Sequence, residues 1–174
     1  QYQRTAHRIT SPWKWRHLKS VIVPSVQSPP SMLKLHDFCN RALARIQNEL
    51  FDLGADLATP ADIQFGFGPH EMALRIVPSQ IARLEDEIDR MNDDLEPLKS
   101  FILPGGTEAA ARLHVARAVA RRAERAAVAA GASRDLNPLA LTYLNRLSDH
   151  LFVMTRHINA AAGGDVLWKP GATR

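Results

Sequence analysis

Apolar residues recur at alternating three- and four-residue intervals along four stretches of the chain. The first is Leu43, Ile46, Leu50, Leu53 and Leu57, and the second Ile81, Leu84, Ile88, Met91 and Leu95. The third is Leu113, Ala116, Ala120, Ala123 and Ala127, and the fourth Leu144, Leu147, Leu151, Met154 and Ile158. Each lays one apolar stripe along a helix, as packing against other helices requires. The punctuation agrees. "ATPAD" closes the first helix, Pro78 sits where a helix start tolerates proline, and Pro97 stops the second near Glu96. "LPGGT" at 103–107 is a turn with Thr107 as N-cap. "GASRDLNP" separates the last two helices, with Asn137 as cap and Pro138 at the first helical position, and Gly163 and Gly164 end the fourth. Residues 61–77 form a longer connection. No alternation is long enough for a sheet, so the pattern predicts an all-α, up-and-down bundle of near-parallel helices. The alanine-rich third helix, which allows close backbone approach, is expected at its centre, pressed between larger neighbours.

Composition changes this picture mainly at the N-terminus. The 174 residues suit one domain with a sizeable core. No apolar run approaches the ~18 residues of a membrane span. Cys39 is the sole cysteine, which excludes an internal disulfide, fits a cytoplasmic setting and reads as a buried thiol. Charge is unevenly spread. Arg4, Arg8, Lys14, Arg16, Lys19 and Lys34 are six of the 22 basic residues, and residues 1–36 hold none of the 18 acidic ones. The remainder has 16 basic against 18 acidic residues, a net −2. Pro12, Pro24, Pro29 and Pro30 also interrupt this segment. The expected division is an irregular basic arm over 1–34, a helical body over 35–165 and a tail over 166–174.

Chemistry concentrates on the third and fourth helices. Arg117, Arg121 and Arg125 are four residues apart and form one ridge, with Arg122 beside it and Glu124 three residues after Arg121. Three guanidinium groups at one-turn spacing span ~12 Å, enough to follow a triphosphate. Alone, the ridge reads equally as a solvated face. Nucleic acid fits poorly, because no aromatics interleave and the body is acidic. "LNRLSDH" sets Asn145 and Asp149 on one face, where Asn145 suits a base or ribose and Asp149 can orient an arginine; an interhelical polar contact is the plainer reading. His114 can share the ridge's cleft or simply pack. His150 and His157 lack a third ligand, so no metal cage is expected. "LPGG" has neither a phosphate-loop lysine nor a dinucleotide fingerprint. Asp86, Glu87, Asp89, Asp93 and Asp94 read as a solvated acidic helix side.

Four stretches together resemble a known family. "FDLGADLATP", "RLEDEIDRMNDDLEPLKSFILPGG", "LHVARAVARRAERA" and "LNRLSDHLFVMTRHIN" are similar, in order and spacing over about residues 43–162, to the ATP:cob(I)alamin adenosyltransferases of the propanediol-utilisation type. The resemblance implies a ferritin-like bundle, a homotrimer with sites between subunits, and transfer of the 5′-deoxyadenosyl group of ATP, with Mg2+, to reduced cobalamin. By resemblance, Arg121, Arg122, Glu124 and Arg125 belong to the nucleotide-binding run and Asn145 contacts the nucleotide. Phe101 would occupy the lower corrin face, Arg117 would pair with an acid of the neighbouring subunit, and Asp149 would hold the arginines in place. Neither nucleic acid nor a membrane is an expected partner.

The resemblance fails over residues 1–40. They show no glycine-rich phosphate loop and no Tyr-Gly-x-Val-Asp-Glu-Leu-Asn pattern of a first helix, and no glycine precedes Gly54. The arm therefore reads as standing in place of the family's first helix, and weak ATP binding is expected. A protein that binds or delivers cobalamin without adenosylating it is the rival expectation.

Overall fold

The computed structural model describes residues 30–61, 66–68 and 73–174, with the side chains of 30–33 left aside. Four helices follow one another: α1 (Pro30–Ala58), α2 (Pro78–Asn92), α3 (Glu108–Gly131) and α4 (Pro138–Ala160). The irregular arm expected over 1–34 lies largely outside the described residues. Its last five positions do not fit that reading, because α1 begins at Pro30, where a proline in the first turn forgoes no hydrogen bond. The starts of α3 and α4 are as their residues predict. Thr107 accepts from the Ala110 amide, and Asn137 accepts from the Leu139 amide ahead of Pro138. α2 stops at Asn92, before Pro97 can act. Asp93 and Asp94 fall at the negative end of its dipole, which disfavours another turn.

α4, not α3, is central, and packs against the other three helices. Its buried residues run round most of its circumference: Tyr143, Leu144, Leu147, Leu151 and Met154 with Ser148, His150 and Thr155 between them. The alanines of α3 supply only a narrow face. Ala120 and Ala127 are buried, but Ala116 and Ala123 face outward. Burial at roughly 25 cal/mol per Å2 favours placing the larger side chains of α4 inside.

The rotation of α1 also departs from its apolar stripe. Cys39, Ala42, Ile46, Glu49, Leu53 and Asp56 point inward, while Leu50 and Phe51 are exposed. Two carboxylates thus enter the interior, each fully partnered. Glu49 accepts from the Tyr143 hydroxyl at 2.7 Å and from Arg83 at 2.8 Å. Asp56 accepts from Arg75 at 2.9 Å, from the Ile76 amide at 2.8 Å and from Asn137 at 2.6 Å. This second cluster ties the end of α1 to the connection before α2 and to the cap of α4.

Glu87 corrects the reading of α2 as a solvated acidic side. It is buried, grips Arg45 through both oxygens at 2.7 and 2.8 Å, and meets His150 Nε2 at 2.8 Å. Burial pushes its pKa up, but the hydrogen bonds from His150 and Arg45 outweigh that and hold it at about 2. Cys39 is buried as expected, and burial raises its thiol to about 11, partly offset by a backbone hydrogen bond.

Two stability measurements test these clusters. A folded-state pKa below the ordinary 4.5 means that Glu87 contributes fully above pH 4.5, and that this is lost as pH falls towards 2. Denaturant unfolding at about pH 6 and about pH 3 should therefore show a larger loss for the wild type than for Glu87→Gln; equal losses would contradict the cluster. Asp56→Ala strands Arg75 in the interior and should lower unfolding free energy by about 3–5 kcal/mol.

Candidate functional site

Glu124 on α3 sits at the centre of the candidate site. One of its oxygens accepts from Asn145 Nδ2 on α4 at 2.8 Å, and the other pairs with Arg121. Three residues singled out in the sequence are thereby joined into one unit across the α3–α4 interface. Arg146, not singled out, donates to Asn145 Oδ1 at 2.7 Å. The amide of Asn145 is thus fixed in orientation and retains one proton and one lone pair for a ligand. Glu124 spends both oxygens on its neighbours, which fixes Arg121 and Asn145 relative to each other. Arg122 and Arg125 lie exposed beside the unit, with no ion pair among the described residues.

Asp149 pairs with none of the ridge arginines among the described residues. Its carboxylate pairs with Arg146 at 3.2 Å, one turn back on its own helix, where an i,i+3 spacing brings the two side chains onto one face. Among the described residues it reaches the site through Arg146 and Asn145. Arg117 lies with its guanidinium carbon 4.9 Å from the centre of the Phe152 ring. No carboxylate among the described residues pairs with it, and its buried Nε has no partner there. His114, one turn earlier, is buried. Burial first and Arg117 second lower its pKa, with Asp165 opposing, which keeps the ring neutral near pH 7.

Phe101 stands apart. The fourteen residues of α3 from Glu108 to Arg121 place about 20 Å of helix axis between its loop and the ridge. Its loop is held by α4. Asn159 accepts from the Thr107 amide at 3.0 Å and donates to the Gly105 carbonyl at 3.1 Å. Gly106 makes this possible. Its φ is +96°, and a Cβ there would lie 2.3 Å from Asn159 Oδ1. The residues assigned to a separate tail complete the loop. Trp168 donates its amide to the Phe101 carbonyl at 2.8 Å, and Leu103 donates to the Val166 carbonyl at 2.8 Å. A 450 Å3 cleft lined by Leu98, Lys99, Arg156 and Leu167 lies beside this ladder.

Asn159 and Trp168 were not legible as site residues. A polar residue near a helix end and an aromatic after two glycines carry no periodic signal. Among the described residues no group of three His, Cys, Asp or Glu side chains can hold a metal, and no helix is long and apolar enough to cross a membrane.

The family model described as cobalamin adenosyltransferase matches residues 12–158. It begins well inside residues 1–40, where the quoted resemblance fails, so the family pattern extends further towards the N-terminus than the quoted motifs do. The corrinoid adenosyltransferase of Mycobacterium tuberculosis (strain ATCC 25618 / H37Rv) is 51% identical over 134 residues, 76% of this chain and 66% of the relative. That of Bacillus subtilis (strain 168) is 40% identical over 131 residues, 75% of this chain and 64% of the relative. The chain thus spans about two thirds of the length of these relatives. Among solved structures, an arginine-to-lysine variant of a PduO-type adenosyltransferase from Lactobacillus reuteri, complexed with ATP, superimposes with a TM-score of 0.68. It shares 35% identity and covers 78% of this chain and 74% of its own. A phenylalanine-to-alanine variant from the same organism, complexed with cobalamin and ATP, gives a TM-score of 0.64 at 38% identity, over 74% of this chain and 69% of its own.

The clasp on the loop can be tested directly. Gly106→Ala combines a disfavoured backbone angle with a clash against Asn159, and should cost about 2–3 kcal/mol in unfolding free energy. Gly54→Ala, which meets open space in a helix, should not destabilise. Equal behaviour of the two variants in thermal melts would contradict the clasp.

Proposed function

The chain belongs to the cobalamin adenosyltransferase family, and from that premise we propose that it transfers the 5′-deoxyadenosyl group of ATP to the cobalt of reduced cobalamin. The observation that carries this reading is the Arg121–Glu124–Asn145 unit beside Arg122 and Arg125, in a fold shared with proteins solved with ATP and with cobalamin. Co(I) supplies the electron pair for the new cobalt–carbon bond. The bond from C5′ to the α-phosphate oxygen breaks, and triphosphate leaves with the electron pair of that broken bond. Negative charge accumulates on the departing oxygens, and preset guanidinium groups stabilise it more than they stabilise bound ATP. Glu124 prepares this by fixing Arg121 before the substrate arrives, so little reorganisation is left for the reaction itself. Asn145 has a donor and an acceptor left for the nucleoside.

Phe101 supports the corrin half of the reading. Its exposed ring offers cobalt an apolar face with no ligand atom, which favours loss of the lower axial ligand and eases reduction. The corrin provides the metal chemistry, and the chain provides placement. Mg2+ would arrive on the nucleotide phosphates. The described side chains form no cluster for it, so no step is assigned to a protein-held metal.

A homotrimer with sites between subunits fits the exposed face of α3. Val115, Val119 and Val128 are uncovered there, and Arg117 awaits a carboxylate that the described part of its own chain does not supply. A cytoplasmic setting accords with a single, buried cysteine.

Adenosylcobalamin formation from ATP and reduced cobalamin tests the proposal, with molar mass measured on the same sample. Turnover is expected, at three times the 19.3 kDa of one chain. Arg121→Ala should lower kcat/KM about 100-fold. Corrinoid binding without any transfer would instead support the delivery role.

A further inference from the structure

Phe101 and Trp168 are both large, both aromatic and both turned to solvent, with 76% and 43% of their surface accessible. Core burial accounts for neither. Their rings nevertheless meet edge to face, with centroids 5.9 Å apart and planes at 63°. The backbone enforces this meeting. Ile102 and Leu167 oppose each other in an antiparallel bridge, so the residues flanking them, Phe101 and Trp168, project together from the other face of the ladder. Two hydrogen bonds close the ladder, and Ser100 Oγ donates to the Trp168 carbonyl at 2.9 Å. On the C-terminal side Asn159 fixes the turn. The backbone of Phe101 is therefore held at both ends, and among the described residues the aromatic neighbour that restrains its ring is Trp168.

We infer that Trp168 is a positioning residue for the corrinoid: its ring edge holds Phe101 flat against the lower corrin face, and the two rings together form the apolar floor on which the corrin rests. The inference rests on the adenosyltransferase reading and goes beyond it by bringing the segment after α4 into the corrin site. An edge-to-face pair leaves one broad aromatic face presented outward, which suits a flat, apolar ligand surface and not a phosphate. Without Trp168 the Phe101 ring is free to rotate about its first side-chain bond, and water and the displaced base regain access below cobalt.

The test uses the full chain with cob(II)alamin and ATP, and reads four-coordinate Co(II) by paramagnetic resonance beside turnover. Trp168→Ala should lower the four-coordinate fraction and kcat together by about tenfold, with the KM for ATP unchanged. Trp168→Phe should restore most of both. Phe101→Ala and the double variant should then resemble each other, because Trp168 acts through Phe101. A Trp168→Ala protein that keeps wild-type four-coordinate Co(II) while Phe101→Ala loses it would overturn the inference and leave the activity intact. A wild type that yields neither four-coordinate Co(II) nor product would overturn the activity reading itself. A readout independent of turnover guards against misfolded variants. With Trp13 and Trp15 replaced by Phe, Trp168 is the sole tryptophan. Its emission should be quenched saturably by cobinamide and not by ATP, and emission unchanged beyond the inner-filter loss of free tryptophan would also overturn the inference.

Discussion

Two carboxylates buried between helices set the arrangement of everything else. Glu49 and Glu87 lie inside a four-helix core, where an unpaired charge would cost several kcal/mol. Each is tolerable only in one geometry: Glu49 against Tyr143 and Arg83, Glu87 against Arg45 and His150. These partners come from α1, α2 and α4, so satisfying them fixes the rotation of all three helices at once. Apolar packing is less demanding. A stripe of leucines can slip by a residue at modest cost, whereas a fork of two hydrogen bonds cannot. This explains why α1 leaves Leu50 in solvent and brings Glu49 in.

Once α4 is fixed in rotation, its remaining face is committed. His150 and Tyr143 must look towards α1 and α2, and Asn145 then looks towards α3, where Glu124 meets it. The same helix ends in Asn159, which clasps the turn that leads into α3. The polar core, the arginine ridge and the Phe101 loop are thus three consequences of how one helix sits. The alanines of α3 complete the arrangement: a narrow buried face leaves the opposite side, with its valines and arginines, exposed.

Four helices, their caps and the arginine ridge were legible in the sequence, because each has a local signature: a period of 3.6, a proline or asparagine at an end, a four-residue repeat. The long-range polar pairs were not. Glu87 lies in an acidic run whose other members are solvated, and nothing in the spacing marks the one that turns inward. Asp149, a clamp for the ridge by resemblance, pairs among the described residues with Arg146 on its own helix, a local contact the spacing equally allowed. Trp168 was hidden because an isolated bridge of a few residues has no period to detect. Residues 12–34, set apart by charge and proline, fall within the family match even though none of the quoted motifs reaches them. Motif spacing is therefore a poor guide to where the family resemblance ends.

The central claim is that the ridge on α3 is a shaped triphosphate site and not a solvated basic face. Calorimetric titration of inorganic triphosphate into the full chain addresses it most directly, with Arg121→Ala and Arg125→Ala compared against Arg134→Ala, which removes an exposed arginine in the turn after α3. The ridge variants should each lose about tenfold or more in affinity, and Arg134→Ala should bind like the wild type. If all three variants weaken binding equally, or none does, the ridge is merely charged surface and the account fails.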